Sequence, residues 1–356
     1  MGSGGAQNQI VKLINGLNQR DYEIHLFLYK ESNDFFKNEL SIKQANIHNC
    51  FSSKKGFSFQ VLKSLRSLVM QEFNYVISFL DTPNIYNSLS TIGIKNCKTI
   101  VSERSSSLAQ LSPLRKILKF LAMILANDIV VNSYSEAENL KRKTLLRDKI
   151  YTIWNGYERN SKSIDLPSQE TAKSLLVVGR VAYPKNGLNL LKALDIFHKK
   201  NKWIPQINWM GRFENDKKSI LMQKEMNSFL NKNKHILKKW NWGEEHKNIQ
   251  KFYSSHDAII HVSLYEGLPN SICEAMVNGC FVIASRVCDH PLLMGENERG
   301  MLCDPQSPES ICKSIEDFYS LHSKRKSKII KNAKDFAETN LSLEKMINNY
   351  ENFFTS

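Results

Sequence analysis

Two carboxylates bracket the segment with the most chemical content, Glu266-Gly267-Leu268-Pro269-Asn270-Ser271-Ile272-Cys273-Glu274. It follows an apolar run, Ala258–Val262, and enters a helical pattern over Ala275–Asn278. A glycine-containing turn that opens a helix leaves backbone N–H groups without intrahelical partners, and with the helix dipole these can hold a diphosphate. Glu274, one turn inside, can accept hydrogen bonds from ribose hydroxyls, and Glu266, ahead of the turn, can reach a sugar ring. In isolation such a pair is more often merely solvated. A second loop supplies the context: Val178-Gly179-Arg180-Val181-Ala182-Tyr183-Pro184-Lys185-Asn186-Gly187 runs from a strand end through two cations into a helix. Arg180 and Lys185 there can neutralise the charge that develops on a leaving diphosphate.

Both loops must be carried at strand ends of one sheet if they are to converge. Glu23–Tyr29 reads as a strand in which Ile24, Leu26 and Leu28 alternate with His25 and Phe27, and short apolar runs suited to strands buried on both faces follow at Tyr75–Leu80, Lys98–Val101 and Asp128–Asn132, with helical patterns near 4–20, 57–73, 83–92 and 112–127. The alternation predicts an α/β sheet with right-handed crossovers. It restarts after a polar stretch: strands at Ser174–Val178, Gln206–Met210, Ala258–Val262 and Phe281–Ala284, with helices near 188–199, 217–233, 270–278 and 308–321 and one final helix over about 326–353. This predicts an N-terminal domain over 1–156, a linker over 157–171, a C-terminal nucleotide-binding domain over 172–335, and a last helical segment, 336–356, that crosses back to the first domain. In such sheets ligands bind at the carboxyl ends of the strands, here in the cleft between the two units.

The chain's 356 residues, 42% hydrophobic, suit two cores rather than one. No apolar run reaches the length of a membrane span, and no leader pattern opens the sequence. The seven cysteines include no C-x-x-C pair and read as reduced thiols of a cytoplasmic protein. A net charge of +14 favours an anionic partner: nucleic acid, an anionic membrane face or a phosphorylated substrate. Scattered lysines on a solvated surface account for such a balance equally well.

Four motifs together resemble a retaining family 4 glycosyltransferase of the GT-B class. They are the Gly-Gly-Ala turn in Ser3-Gly4-Gly5-Ala6-Gln7, Trp154-Asn155-Gly156 at the domain junction, the Gly179-Arg180…Lys185 loop, and the Glu-x7-Glu segment approached through Ser263-Leu264-Tyr265. The resemblance implies two Rossmann-like domains facing a cleft and a nucleotide-sugar donor. It implies that Arg180 and Lys185 bind the diphosphate, Glu266 contacts the transferred sugar and Glu274 the ribose. Gly4 and Gly5, Gly179, Ser271 and the backbone of Gly267, Leu268, Pro269 and Asn270 would complete the donor pocket, Pro269 through its carbonyl alone. Met210-Gly211-Arg212 and Trp242-Gly243 fall where the family builds its base-binding wall, though Trp242 fits a core position as well. Retention then proceeds with the leaving phosphate accepting the acceptor's proton on the same face, the protein supplying charge and position. Neither metal nor cofactor is expected; the chain has no Asp-x-Asp triplet.

For the acceptor side, Phe79–Asn84 and Ser102–Ser105 follow strands, which makes Asp81, Glu103 and Arg104 candidates to orient a hydroxyl, with loop capping as the alternative. No histidine lies between 79 and 110 to act as base. Leu111–Leu125 mixes Arg115, Lys116 and Lys119 with Leu114, Ile117, Leu118, Phe120, Leu121, Ile124 and Leu125 and resembles a basic amphipathic helix able to lie on an anionic membrane. By resemblance, the donor is UDP-linked galactose, N-acetylgalactosamine or glucose, or GDP-mannose. The acceptor that the resemblance and the basic helix imply is a growing surface glycan on a lipid carrier, as in O-antigen, capsule or lipopolysaccharide assembly. In the family the Gly-Gly-Ala turn follows a first, central strand, and Met1-Gly2 offers none, so the first domain is expected to lack it. Alternative readings are another GT-B nucleotide-sugar enzyme such as an epimerase, and a basic nucleic-acid-binding protein. No nucleic-acid motif supports the latter, and Gly2-Ser3-Gly4-Gly5 does not complete a Rossmann dehydrogenase fingerprint.

Overall fold

The computed structural model describes residues 4–30, 36–51, 57–104, 111–158, 173–246 and 249–355. The chain forms two units, one of residues 1–156 with 343–356 and one of residues 157–342. Ser3 of the Gly-Gly-Ala turn, Ser105, and the expected linker from 159 onward lie outside the described residues.

The first unit contains α1 (Gly5–Asn18), β1 (Leu26–Leu28), β2 (Ile47–Asn49), α2 (Phe59–Val69), β3 (Tyr75–Phe79), α3 (Asp81–Ser90), β4 (Lys98–Glu103), α4 (Pro113–Leu125), β5 (Asp128–Val131), α5 (Tyr134–Lys141) and β6 (Ile150–Thr152). β3-β4-β5-β6 form one parallel sheet and β1-β2 a separate parallel pair; among the described residues no ladder joins them. Side chains alternate across the larger sheet as its pleat requires. Ile100 and Val130 pack with Leu13 and Leu17 of α1 on one face, while Val101, Ile129 and Val131 pack with Met123 of α4 and Leu140 of α5 on the other. Serine side chains cap α2 and α5: Ser58 and Ser133 accept the Val61 and Glu136 amides.

The second unit contains β7 (Ser174–Val178), α6 (Gly187–Asn201), β8 (Gln206–Met210), α7 (Lys217–Lys232), α8 (Lys234–Leu237), β9 (Trp240–Gly243), α9 (Gln250–Ser254), β10 (Ala258–His261), α10 (Asn270–Val277), β11 (Phe281–Ser285), α11 (His290–Met294), β12 (Met301–Cys303), α12 (Pro308–Ser320) and α13 (Ser323–Asn340). Its six strands are parallel, in the order β12-β11-β10-β7-β8-β9. The order reverses at β7, so the loops after β7 and after β10 leave neighbouring strands at the same edge of the sheet. Leu175, Val177, Trp209, Ile260 and Ile283 anchor the core against Leu190 and Leu194 of α6 and Ile315 of α12.

One expectation is corrected. The final helix over 326–353 is two helices, α13 and α14 (Leu343–Thr355). Leu341 leaves helical geometry (φ −118°, ψ 8°). It is fully buried, and its carbonyl accepts the Tyr157 amide at 2.8 Å. Pairing with the strand-like Tyr157–Ser342 bridge replaces the helical hydrogen bonds there. α14 then joins the first unit, where Ile347, Tyr350, Phe353 and Phe354 complete the core above α1. Gly156 permits this junction: a Cβ there would stand 2.7 Å from the Leu343 Cα, and its amide and carbonyl are both bonded by the Gln9 side chain at 3.1 Å.

Candidate active site

The site of the second unit is built at the carboxyl ends of β7 and β10. Gly179 follows β7 directly, and its φ of +140° is open to glycine and strained for any other residue. Gly211, after β8, has φ +154°, and a Cβ on it would meet the Gly179 carbonyl oxygen at 2.2 Å. The indole N–H of buried Trp209 donates to that same carbonyl at 2.8 Å. The backbone is thus held flat against its neighbour, and the chain turns through Tyr183–Lys185 with Asn186 in the left-handed region (φ 59°) before α6 begins. Asn186 fixes the turn by donating to the Val262 and Pro305 carbonyls at 3.0 and 2.7 Å. The Leu264 amide donates to the Pro184 carbonyl at 2.8 Å, which ties the two loops together.

This arrangement aims Lys185 at Glu266. Its ammonium lies 2.6 Å from Glu266 Oε1, and the same oxygen accepts the Ser263 hydroxyl at 2.6 Å and stands 3.1 Å from His261 Nε2. The Ser271 hydroxyl lies 3.1 Å from His261 Nδ1. The network is self-consistent when Nε2 carries the imidazole proton toward the carboxylate and Nδ1 accepts from Ser271. Burial by itself would raise the Glu266 carboxyl; the charge of Lys185 and the His261 hydrogen bond override it and hold the carboxyl well below the ordinary range. Burial, then the neighbouring Lys185 charge, lower His261 and keep it neutral, against the pull of Glu266. Beside it, burial pushes His290 down to about 3; its Nδ1 lies 2.7 Å from the Ser285 carbonyl.

The remaining donor-side residues are placed as follows. Gly267 and buried Leu268 lead to Pro269, the residue ahead of α10, whose first residues are Asn270 and Ser271. Asn270 Oδ1 accepts the Tyr157 hydroxyl at 2.6 Å. Glu274 sits one turn into α10 and accepts the Tyr253 hydroxyl at 2.9 Å. Burial and then the Glu274 charge raise that phenol far above its usual range, so it remains a donor. Arg180 is not brought to Glu266; its guanidinium is exposed and pairs with Glu214. Trp242 is partly buried against Trp209, Trp240 and Phe213, with ring centroids 5.7, 5.3 and 5.1 Å away. Arg212 reaches toward Glu245, 4.0 Å away.

In the first unit, Gly4 precedes α1 and Gly5 is its first residue. Asp81 and Glu103, at the carboxyl ends of β3 and β4, both pair with Lys119 of α4. Glu103 and the ammonium are largely withdrawn from water, and the two carboxylates overcome that burial and raise the Lys119 pKa. Arg104 is spent on structure: it donates to Ser102 and the Tyr350 hydroxyl, each at 2.8 Å, and to Asn155, over the Phe79 ring. Asn155 of the Trp-Asn-Gly motif is thereby tied to β4 and α14.

His261, Tyr253, His290 and Glu214 are absent from the candidates drawn from the sequence, where Ser263 stands only as part of the approach to Glu266. Only His261 left a trace, as the one titratable residue in the otherwise apolar strand Ala258–Val262. The others are defined by contacts between residues distant in sequence.

Two Rossmann-like units, with a glycine-strained loop, a cation and a helix start gathered at the strand ends of the second, define a GT-B glycosyltransferase. The comparisons agree. Residues 158–336, about half of the chain, match the family described as Glycosyl transferases group 1. The chain belongs to that family. It is 26% identical over 294 residues to the capsular polysaccharide biosynthesis glycosyltransferase CapH of Staphylococcus aureus, covering 81% of this chain and 79% of that protein. Its fold is similar to that of Anabaena Alr3699/HepE, solved with UDP and glucose (TM-score 0.81, 14% identity, 99% and 96% of the two chains). It is also similar to the lipopolysaccharide outer core galactosyltransferase WaaB (TM-score 0.71, 16% identity, 98% and 95%). Among the described residues no helix is long and apolar enough to cross a membrane, and the seven cysteines are free thiols.

Proposed function

We propose that this glycosyltransferase retains the anomeric configuration while moving a hexosyl or N-acetylhexosaminyl group from a UDP-linked donor to a growing, lipid-linked surface glycan. The observation that carries the reading is the Lys185–Glu266–His261–Ser263 network beside the start of α10. A nucleoside diphosphate fits there with its phosphates on the Lys185 side of the network and on the amides at the start of α10. Arg180 swings from Glu214 to the phosphates when the donor enters. Glu266 stays ionised and orients a sugar hydroxyl, and Glu274, steadied by Tyr253, takes the ribose hydroxyls. As the C1–O bond loosens, lysine and amides stabilise the leaving diphosphate, whose oxygen receives the acceptor's proton on the same face. These fixed charges serve where a cation otherwise would, so the reading is metal-independent. The UDP of the structural relative HepE and the capsular role of CapH support the choice of donor and acceptor.

On the acceptor side we assign the Asp81–Lys119–Glu103 cluster to orienting the acceptor. α4 supports docking to an anionic membrane face: Leu114, Ile117, Leu121 and Leu125 are exposed along it. Arg115 and Lys116 share its surface, whereas Lys119 points inward to the two carboxylates.

The test is a panel of UDP- and GDP-sugars assayed for nucleoside diphosphate release, followed by Glu266→Ala on the donor that reacts. Release from one UDP-sugar that falls at least a hundredfold in the variant is expected. Undiminished release in Glu266→Ala removes this site from the reaction.

A further inference from the structure

The second unit carries another concentration of charge at the opposite end of its sheet. Lys173 directly precedes β7, Lys239 directly precedes β9, and Lys202 ends α6 in a left-handed conformation (φ 63°). With Trp203, His198 and His235 they line a cavity of about 450 Å³. That volume lies in the range of small-molecule pockets. Lys173 and Gly179 are six residue steps apart along β7, about 20 Å at ~3.3 Å per residue. The cavity is therefore remote from Lys185 and Glu266.

Its walls are prepared rather than incidental. The Lys173 ammonium rests over the Trp203 ring, 4.0 Å from the centroid, which holds the charge in place. The His198 and His235 rings are stacked, with centroids 4.2 Å apart and planes 23° from parallel. His198 Nδ1 is buried without a hydrogen-bond partner among the described residues. No carboxylate lines the cavity; Asp195 stands behind His235, 3.5 Å from its Nε2, and is itself held by Lys199 at 2.6 Å. Three lysines and two histidines line the concavity with no carboxylate among them, and the exposed Lys202 ammonium rests on the Lys199 carbonyl at 3.1 Å. Such a lining attracts an anion with several oxygens, and lysine takes a phosphate as a point charge.

We infer that this cavity is a second ligand site, which takes the phosphate or pyrophosphate group of a small phosphorylated molecule at the amino end of the sheet. Its concave form favours such a ligand over a flat bilayer. The inference does not depend on the proposed donor or acceptor.

Inorganic pyrophosphate is the probe, titrated calorimetrically into the full chain with and without saturating UDP. Lys202→Glu/Lys239→Glu reverses two exposed lining charges. Lys324→Glu/Lys328→Glu makes the same change of net charge on the exposed surface of α13. A pyrophosphate-binding event that survives UDP, weakens at least tenfold in the first pair and stays within twofold in the second is the expected result. Binding that UDP abolishes, that both pairs weaken equally, or that the first pair leaves intact overturns the inference. So does failure to bind pyrophosphate when phosphatidylglycerol vesicles bind through the same two lysines.

Discussion

Replacing Lys185 with methionine tests the centre of the proposed site, because it removes the charge while keeping most of the side-chain volume. In the wild type the ammonium and the Glu266 carboxylate are 2.6 Å apart, and their side chains are only 19% and 17% exposed. Breaking a buried pair by removing one partner costs about 3–5 kcal/mol. Ser263 and His261 still donate to the carboxylate in the variant, and some water reaches the pair, so we expect about 2–3 kcal/mol. For a unit of this size that corresponds to roughly 5–10 °C in Tm. The pH dependence has a definite sign. Glu266 is depressed in the folded state, so its stabilisation is fully present above the ordinary carboxyl value of 4.5 and is lost as pH falls below it. The gap between wild type and variant should therefore be widest near neutrality and close in acid. Turnover, read as UDP release, should fall about 10²–10³-fold, the loss typical of one preorganised charge. The double variant Lys185→Met/Glu266→Gln should regain most of the stability and none of the turnover. A single variant with wild-type Tm at pH 7.5 and UDP release within twofold would refute the assignment of Lys185.

Three other expectations use the same reasoning. His290 is fully buried and pushed down to about 3, so its contribution is complete above the ordinary 6.5 and is lost as pH falls; denaturant unfolding from pH 7.5 to 4.5 should lose roughly 3 kcal/mol, and His290→Asn should flatten that slope. Gly211→Ala places a methyl 2.2 Å from the Gly179 carbonyl oxygen at a strained φ, and should lower stability by about 1–3 kcal/mol and displace the loop, read as a lower Tm with a raised donor KM. Ile117→Asp/Leu121→Asp on exposed positions of α4 should leave Tm unchanged and abolish co-sedimentation with phosphatidylglycerol vesicles at low salt; co-sedimentation equal to wild type would remove α4 from the membrane reading.

Much of the fold was legible because its signals are local. Ser174–Val178 and Gln206–Met210 are strands over the expected residues, since apolar runs of that length bounded by polar residues have few alternatives. The helix break at Leu341 was not legible: both flanking segments are amphipathic, no glycine or proline interrupts them, and the break is imposed by Tyr157, far away in sequence. β9 alternates Trp240 and Trp242 with Asn241, but four residues are too short a run to register as a strand in the sequence. The loops of the site could be located by their glycines and cations, but not the partners within them. That Arg180 meets Glu214, and that Arg104 serves Asn155 and Tyr350, are facts of packing across 34, 51 and 246 residues.

The segment that completes the first unit is encoded after the whole of the second. Tyr350 is fully buried among side chains contributed by α1 and the early strands, and it receives Arg104 on its hydroxyl. Chains emerging from a ribosome ordinarily finish their domains in the order in which they are encoded. Here the unit encoded in the middle can close while the earlier one still waits with an open hydrophobic face. Until α14 emerges, a nascent chain of this protein carries an amino-terminal half whose core lacks Ile347, Tyr350, Phe353 and Phe354. Loss of residues 343–356 would injure the half of the molecule from which they are most distant in sequence.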